Sequence, residues 1–216
     1  MQNTLERKTK AEQAAELLEA AIINCSIQPG AVMTETEISE MLDIGRTPVR
    51  EALMKLANEN LVRLSRAGVV VPELNPITML KLLEPRELIE KLSIEKAVLR
   101  LNEEDLQSIR AVHSELSTVI ATDREAFMAV LSKIHNIVAQ SSKNEFISGS
   151  IKTTQGLSRR FWCYYASDQD QTFCTELYLE QLQALQARDL ESALACSSRL
   201  IHYLQDFAKK QLDNFS

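Results

Sequence analysis

Apolar positions recur at helical spacing along most of this chain, and in one stretch the period changes. Ile38, Met41 and Leu42 give a short helix an inward stripe, and Val49, Leu53 and Leu56 do the same for a second helix that opens at Arg46. Pro48 falls in the first turn of that second helix, where its missing N–H costs little. From Leu61 to Val71 two short β-branched or apolar runs flank Ser65-Arg66-Ala67-Gly68, which predicts a small hairpin. Helix, turn, helix and hairpin make a winged helix-turn-helix, assigned to residues 1–72. Pro72 and Pro76 break the pattern, and residues 73–76 are read as a linker.

Beyond it, residues 77–216 are all helical in pattern. Leu80, Leu83, Leu88, Leu92 and Ile94 stripe a helix over 77–101. Asn102 caps the next, with Glu103, Glu104 and Asp105 at its positive dipole end, and that helix runs to about residue 121. Asp123 caps a third, carrying Phe127, Val130, Leu131, Ile134 and Val138. Further helices follow at roughly 145–167, 171–187 and 190–214. The fold expected is mainly α: an N-terminal winged helix-turn-helix and a C-terminal all-α antiparallel helical bundle.

Composition narrows the class. The chain has 216 residues, 45% hydrophobic, enough for two modest domains, each with a core. Five Gly and five Pro leave little room for strained catalytic turns, and there is no glycine-rich phosphate loop and no Ser/His/Asp order in a motif context. An enzyme that happens to carry a winged helix is therefore the weaker reading. Cys25, Cys163, Cys174 and Cys196 are scattered, with no Cys-x-x-Cys pair, as expected of reduced cytosolic thiols. No window is long and apolar enough to span a bilayer, and the polar Met1–Lys10 stretch is unlike a secretory signal. A cytoplasmic location and no membrane partner are expected.

The net charge of −6 argues mildly against nucleic acid. The local balance differs. Between Ile44 and Arg66 lie Arg46, Arg50, Lys55, Arg63 and Arg66 against Glu51 and Glu59. Specific readers need a basic face rather than a basic total. Arg46, Thr47 and Arg50 occupy the first turns of the second helix, where guanidinium groups suit guanine edges in the major groove and a hydroxyl reaches a base or a phosphate. Arg66 and Gly68 at the wing suit a phosphate or the minor groove.

This first part resembles the GntR family of bacterial transcription regulators. The resemblance rests on Ile27-Gln28-Pro29-Gly30, Glu35, Glu37-Ile38-Ser39, the octapeptide Arg46-Thr47-Pro48-Val49-Arg50-Glu51-Ala52-Leu53 and Gly68, and covers residues 12–72. There are two departures. Gly45 stands where the family usually has Ser or Thr, and Thr36 where relatives often carry a DNA-contacting arginine. Both positions, with Arg46, Thr47, Arg50, Arg66 and Gly68, form the expected DNA-binding set.

The remainder resembles, more loosely, the ligand-sensing (FCD-type) domain of the FadR subgroup over about residues 77–212. It does so through Leu83-Glu84-Pro85-Arg86-Glu87-Leu88-Ile89-Glu90, through His135 with Lys143-Asn144, and through Ala184-Leu185-Gln186-Ala187-Arg188-Asp189. The resemblance implies a six- or seven-helix bundle, a homodimer, and an internal cavity for a small effector, often a carboxylic acid. The whole chain would then be a ligand-responsive regulator, most simply a repressor, that binds a pseudo-palindromic double-stranded operator. A degenerate sensing domain acting constitutively is the alternative.

Many relatives hold a divalent metal with an Asp and a His four residues apart and two later His. Here Leu131 takes the Asp position, and Tyr178 and Leu200 take the later His positions, leaving His135 alone. His202 lies two residues from an expected ligand position, and only a shift of alignment would recruit it. No metal or other cofactor is expected. Arg86, His135 and Tyr178 are the expected effector contacts, Arg86 by bidentate pairing with a carboxylate. The other reading of Arg86 is an exposed ion pair with Glu87 or Glu90. Arg159-Arg160-Phe161-Trp162 with Tyr164-Tyr165 either lines the pocket or packs the bundle, and His113 is read as surface.

Overall fold

The computed structural model describes residues 8–213, with no side-chain description for Asp213. Most of the Met1–Lys10 stretch and the end of the last expected helix therefore lie outside the described residues. The chain divides between Leu74 and Asn75 into two compact units.

In the first unit, α1 (Lys10–Ile23) starts at a capping box in which Thr9 accepts from the Glu12 amide and Glu12 answers on the Thr9 amide. A short strand, β1 (Val32–Met33), precedes α2 (Glu35–Leu42), which opens on a second capping box, Thr34 with Glu37. Asp43, at φ 52°, ends α2 in the left-handed region, and the Ile44 amide turns back onto the Ser39 carbonyl at 3.2 Å. That turn delivers α3 (Arg46–Asn58), whose Val49, Ala52, Leu53 and Leu56 are buried. Strands β2 (Arg63–Ser65) and β3 (Gly68–Val70) form the hairpin, and β1 joins them in an antiparallel sheet of order β1-β3-β2. The hydrophobic pattern did not reveal β1, because two residues are too short to show a period. Met41, expected inward, is 47% exposed; Ile38 alone is buried on α2.

Gly68 matters for a reason that only the third strand shows. Its φ is +129°, a conformation costly for any side chain, and a Cβ there would sit 2.6 Å from the Met33 carbonyl oxygen. The glycine lets β1 close on the hairpin. Ser65 completes the turn: its Oγ donates to the Gly68 carbonyl at 2.9 Å and accepts from the Ala67 amide.

The second unit is helical throughout its described residues: α4 (Pro76–Arg100), α5 (Glu103–Ser117), α6 (Arg124–Ser141), α7 (Glu145–Tyr165), α8 (Asp168–Gln186) and α9 (Leu190–Asp213). The expected linker is shortened from its far side. Asn75 caps α4 by accepting from the Ile77 and Thr78 amides, and Pro76 is its first residue. Pro85 lies inside α4. Helix α8 starts three residues before the apolar pattern begins, because Ser167 and Asp170 form a capping box. Leu88 and Leu92, expected in the stripe of α4, are 72% and 41% exposed; the core side of the helix is Met79, Leu83, Arg86, Ser93, Ile94 and Ala97. The Arg188-Asp189 pair locks the far end of the bundle. Arg188, at φ 55°, donates to the Val98 and Leu101 carbonyls, and Asp189 accepts from the Ser192 amide at the start of α9.

Candidate nucleic-acid interface and ligand cavity

The first site is the exposed face of α3. Gly45 is its N-cap, with no side-chain bond to the amides behind it, and Gly45, Arg46, Thr47 and Arg50 are all exposed while the opposite face is buried. Arg50 is held by Glu35 from the start of α2, with Nε to Oε1 and Nη2 to Oε2 both at 3.1 Å. Thr36, one residue further along α2, is half-buried. In the wing, Arg66 is exposed in the turn and Gly68 is half-buried at the start of β3. Of the seven expected residues, five present themselves openly, whereas Gly68 serves the sheet.

The second site is a cavity in the helical unit, in two lobes that share His135, Gln155, Tyr178 and Leu200. One lobe is walled by Arg86, Phe127, Leu131, Ser158, Arg159 and Trp162, the other by Glu90, Ser93, Ile134, Val138, Ile151 and Gln181. About 20 and 30 Å³ respectively are open to the centre of a water molecule, room for one or two waters in each as closed here.

The three expected effector residues meet at this cavity. His135 Nε2 lies 2.9 Å from the Tyr178 hydroxyl. Arg86 is 2% exposed; its Nε donates to Glu90 Oε1 at 2.7 Å, and its Nη1 donates to Ser158 Oγ. The partner is therefore Glu90, as one reading of the sequence had it, but Arg86 is buried and Glu90 half-buried rather than on the surface. Burial works against the Arg86 charge, yet the Glu90 carboxylate and Tyr178 outweigh it and hold the guanidinium above its ordinary value. Burial, aided by Arg86 and Arg159, keeps His135 well below 6.5, so it is neutral. Burial likewise raises the Tyr178 hydroxyl and pushes the Cys174 thiol up to about 12. With His135 neutral, one ring nitrogen carries a proton and the other accepts, so Nε2 and the Tyr178 hydroxyl share a single hydrogen bond.

The donor set does not fit the divalent metal of related cavities. Leu131 and Leu200 offer no ligand atom, His135 Nε2 is engaged by Tyr178, and no group of three or more His, Cys, Asp or Glu able to hold a metal occurs among the described residues. His202 is exposed, with its Nδ1 at 2.8 Å from the Ser198 carbonyl. The aromatic cluster divides between its two readings. Trp162 and Arg159 line the cavity, while Phe161 packs on Tyr165 and Phe207 within the bundle. His113 is half-buried rather than fully at the surface. Sequence reasoning missed Glu90 as a group lining the cavity and missed Ser93, Gln155, Ser158 and Gln181. A signal was present: Ile151, Gln155, Ser158 and Trp162 follow core spacing along α7, so two polar residues stand where apolar ones pack.

A family model described as "Bacterial regulatory proteins, gntR family" matches residues 10–71, and one described as "FCD domain" matches residues 81–203. The chain belongs to the GntR family. Its second unit carries the FCD domain, which holds the cavity just described. The gluconate operon transcriptional repressor of Bacillus subtilis is 32% identical over 94 residues, 44% of this chain and 39% of that protein. The Uxu operon transcriptional regulator of Escherichia coli is 29% identical over 150 residues, 58% of each. The chain thus spans less than two thirds of these curated relatives. Among solved structures, E. coli McbR/YncC superposes with a TM-score of 0.78 at 21% identity, covering 95% of this chain and all (100%) of that one. A transcriptional regulator GntR from Rhodococcus sp. RHA1 gives 0.71 at 21% identity, covering 95% and 99%. At that identity the likeness is one of fold. No described helix is long and apolar enough to cross a membrane.

Proposed function

We propose that this GntR-family chain is a sequence-specific DNA-binding repressor that grips a pseudo-palindromic operator as a homodimer and answers to a small organic acid in the FCD cavity. The observation that carries the DNA reading is the first two turns of α3. Arg46, Thr47 and Arg50 stand exposed there on a helix whose other face is buried, which is the arrangement a major-groove reader needs. Repression follows the names of the relatives.

Two further observations support the rest. On α4, Leu88, Leu92 and Leu99 lie on one face and are 72%, 41% and 71% exposed, an apolar stripe that a second copy would cover. In the cavity the charged lining residues are Arg86, Arg159 and Glu90, and guanidinium groups in a cavity wall suit the carboxylate of an organic acid. Arg86, His135 and Tyr178 would hold the acid directly, without an ion between. An acid that prefers one arrangement of the protein shifts its population and so changes operator affinity.

The test is selection of a duplex from a randomised pool by the full chain, followed by titration with and without simple monocarboxylates. Light scattering of the wild type and of a Leu88→Glu, Leu92→Glu variant reads the dimer. Failure to enrich any duplex sinks the DNA reading, and a monomeric wild type at micromolar concentration sinks the homodimer.

A further inference from the structure

Along α3 the exposed positions are polar or charged with one exception, Met54, which is 58% exposed. A lone apolar side chain at a surface needs no explanation in itself. Its place on the helix is what matters. Thr47, Arg50 and Met54 are three and four residues apart and so share one face of α3. That face is opposite the buried Val49, Ala52 and Leu56. Met54 therefore continues the line of the residues assigned to DNA, one turn beyond Arg50. From Thr47 to Met54 the helix rises about 10 Å, roughly three base-pair steps. A helix lying in the major groove presents side chains at such spacing to successive base pairs.

Two neighbours decide what Met54 can meet. Arg50, four residues back, is the long side chain placed to fold over it, but its guanidinium turns instead to Glu35 on α2. The thioether is left open. Glu51 is exposed three residues before it, and a carboxylate there disfavours the approach of a phosphate. Met54 itself has no donor and only a weakly accepting sulfur, so it offers nothing to a phosphate and little to the polar edge of a base. Among the groups that base pairs display in the major groove, one is apolar: the C5-methyl of thymine. An unbranched, adaptable thioether is well suited to pack on a methyl.

We propose that Met54 reads a thymine by packing on its C5-methyl in the major groove, adding an apolar contact to the specificity that the arginines of α3 supply. The inference rests on α3 being the major-groove reader of the proposed function.

The test uses the full chain and the duplex that it enriches from a randomised pool. Each thymine is replaced in turn by deoxyuridine, symmetrically in both half-sites. This removes the methyl and leaves base pairing and the polar groove edges in place. Anisotropy titration is expected to find a thymine in each half-site at which the replacement weakens wild-type binding. Burying one methyl group is worth about four-fold in affinity, so the loss over two half-sites is about ten- to twenty-fold. Met54→Ala is expected to bind the thymine duplex more weakly by a similar factor and to be indifferent to deoxyuridine at that position. It is expected to melt with the wild type, because the side chain is exposed. Met54→Leu, which stays apolar, is expected to keep the sensitivity. Wild-type indifference to every replacement overturns the proposal, and so does a Met54→Ala variant that still distinguishes thymine from deoxyuridine there. Either result leaves the arginine readout of α3 standing. Enrichment of no duplex at all overturns both.

Discussion

Glu35 grips Arg50 with both carboxylate oxygens, each 3.1 Å from a guanidinium nitrogen, across the turn that joins α2 to α3. The pair is exposed, so it contributes little to stability. Its effect is to orient a planar group whose remaining N–H donors face outward. Arg46→Ala and Arg50→Ala are expected to weaken operator binding by about 1–3 kcal/mol per half-site while leaving the melting temperature unchanged. Glu35→Gln, which keeps the shape and loses the charge, is expected to give a smaller loss of the same kind. Anisotropy titrations on a selected duplex read all three, and unchanged affinity in both arginine variants refutes the assignment.

Gly68→Val brings a branched side chain to φ +129° and a Cβ to 2.6 Å from the Met33 carbonyl. Strain of this kind costs about 1–3 kcal/mol. Both a lower melting temperature and weaker DNA binding are expected, because the clash lies at the β1–β3 junction and not at the tip. A variant that melts and binds like wild type would show that β1 does not pair with β3 as described.

Gly45→Ser should do the opposite. An added Cβ meets nothing closer than Pro48 Cδ at 4.0 Å, and φ −59°, ψ 157° suits a capping serine. The hydroxyl would accept an amide at the start of α3 and offer a donor to phosphate. A stability gain of a few tenths of a kcal/mol and tighter operator binding are expected, read by thermal melts and titration. Weaker binding would mean that DNA approaches this backbone too closely for any side chain.

The neutral His135 makes stability depend on pH. Its folded pKa lies well below the unfolded value of 6.5, so below pH 6.5 the unfolded chain binds a proton that the folded chain refuses. Stability is fully present above 6.5 and falls as the pH drops, by up to about 1.4 kcal/mol per unit, before the carboxylates begin to titrate. His135→Gln should melt at a temperature that changes less between about pH 7 and pH 5. An identical slope in the two proteins would show that His135 does not titrate on unfolding.

Chelation tests the metal argument. With Leu131 and Leu200 at ligand positions, treatment with a strong chelator should leave melting temperature and acid binding unchanged. Elemental analysis finding about one divalent ion per chain, lost with stability on chelation, would refute it.

How much of this was legible in the sequence depended on the range of the interaction. The helix-turn-helix is specified locally, by capping residues, Pro48 and a clear apolar period, and the exposed face of its second helix could be named from position alone. The wing was legible as a hairpin, but β1 was not, because its pairing with β3 is a long-range fact that two residues do not announce. In the bundle, Asn102 and Asp123 marked helix starts as expected, while the outward Leu88 and Leu92 misled because an exposed apolar stripe has the same period as a core stripe. The cavity was legible where the resemblance pointed, at Arg86, His135 and Tyr178. The polar lining of its second lobe was not, because Ser93, Gln155 and Gln181 sit on three different helices and only the packing of those helices brings them together.

Pro85 lies one residue before Arg86 inside α4, and it has no N–H to give the Lys81 carbonyl. The helix is therefore softest against bending next to the guanidinium that faces the cavity. The nine residue steps from Pro85 back to Pro76 form an arm of about 13 Å. A tilt of about 5° at Pro85 would swing the far end of that arm by about 1 Å at little energetic expense, since the ladder bond it would stretch is already missing. That far end is Asn75, where the chain passes from one unit to the other. The proline thus makes the start of α4 a lever with its fulcrum at the cavity wall.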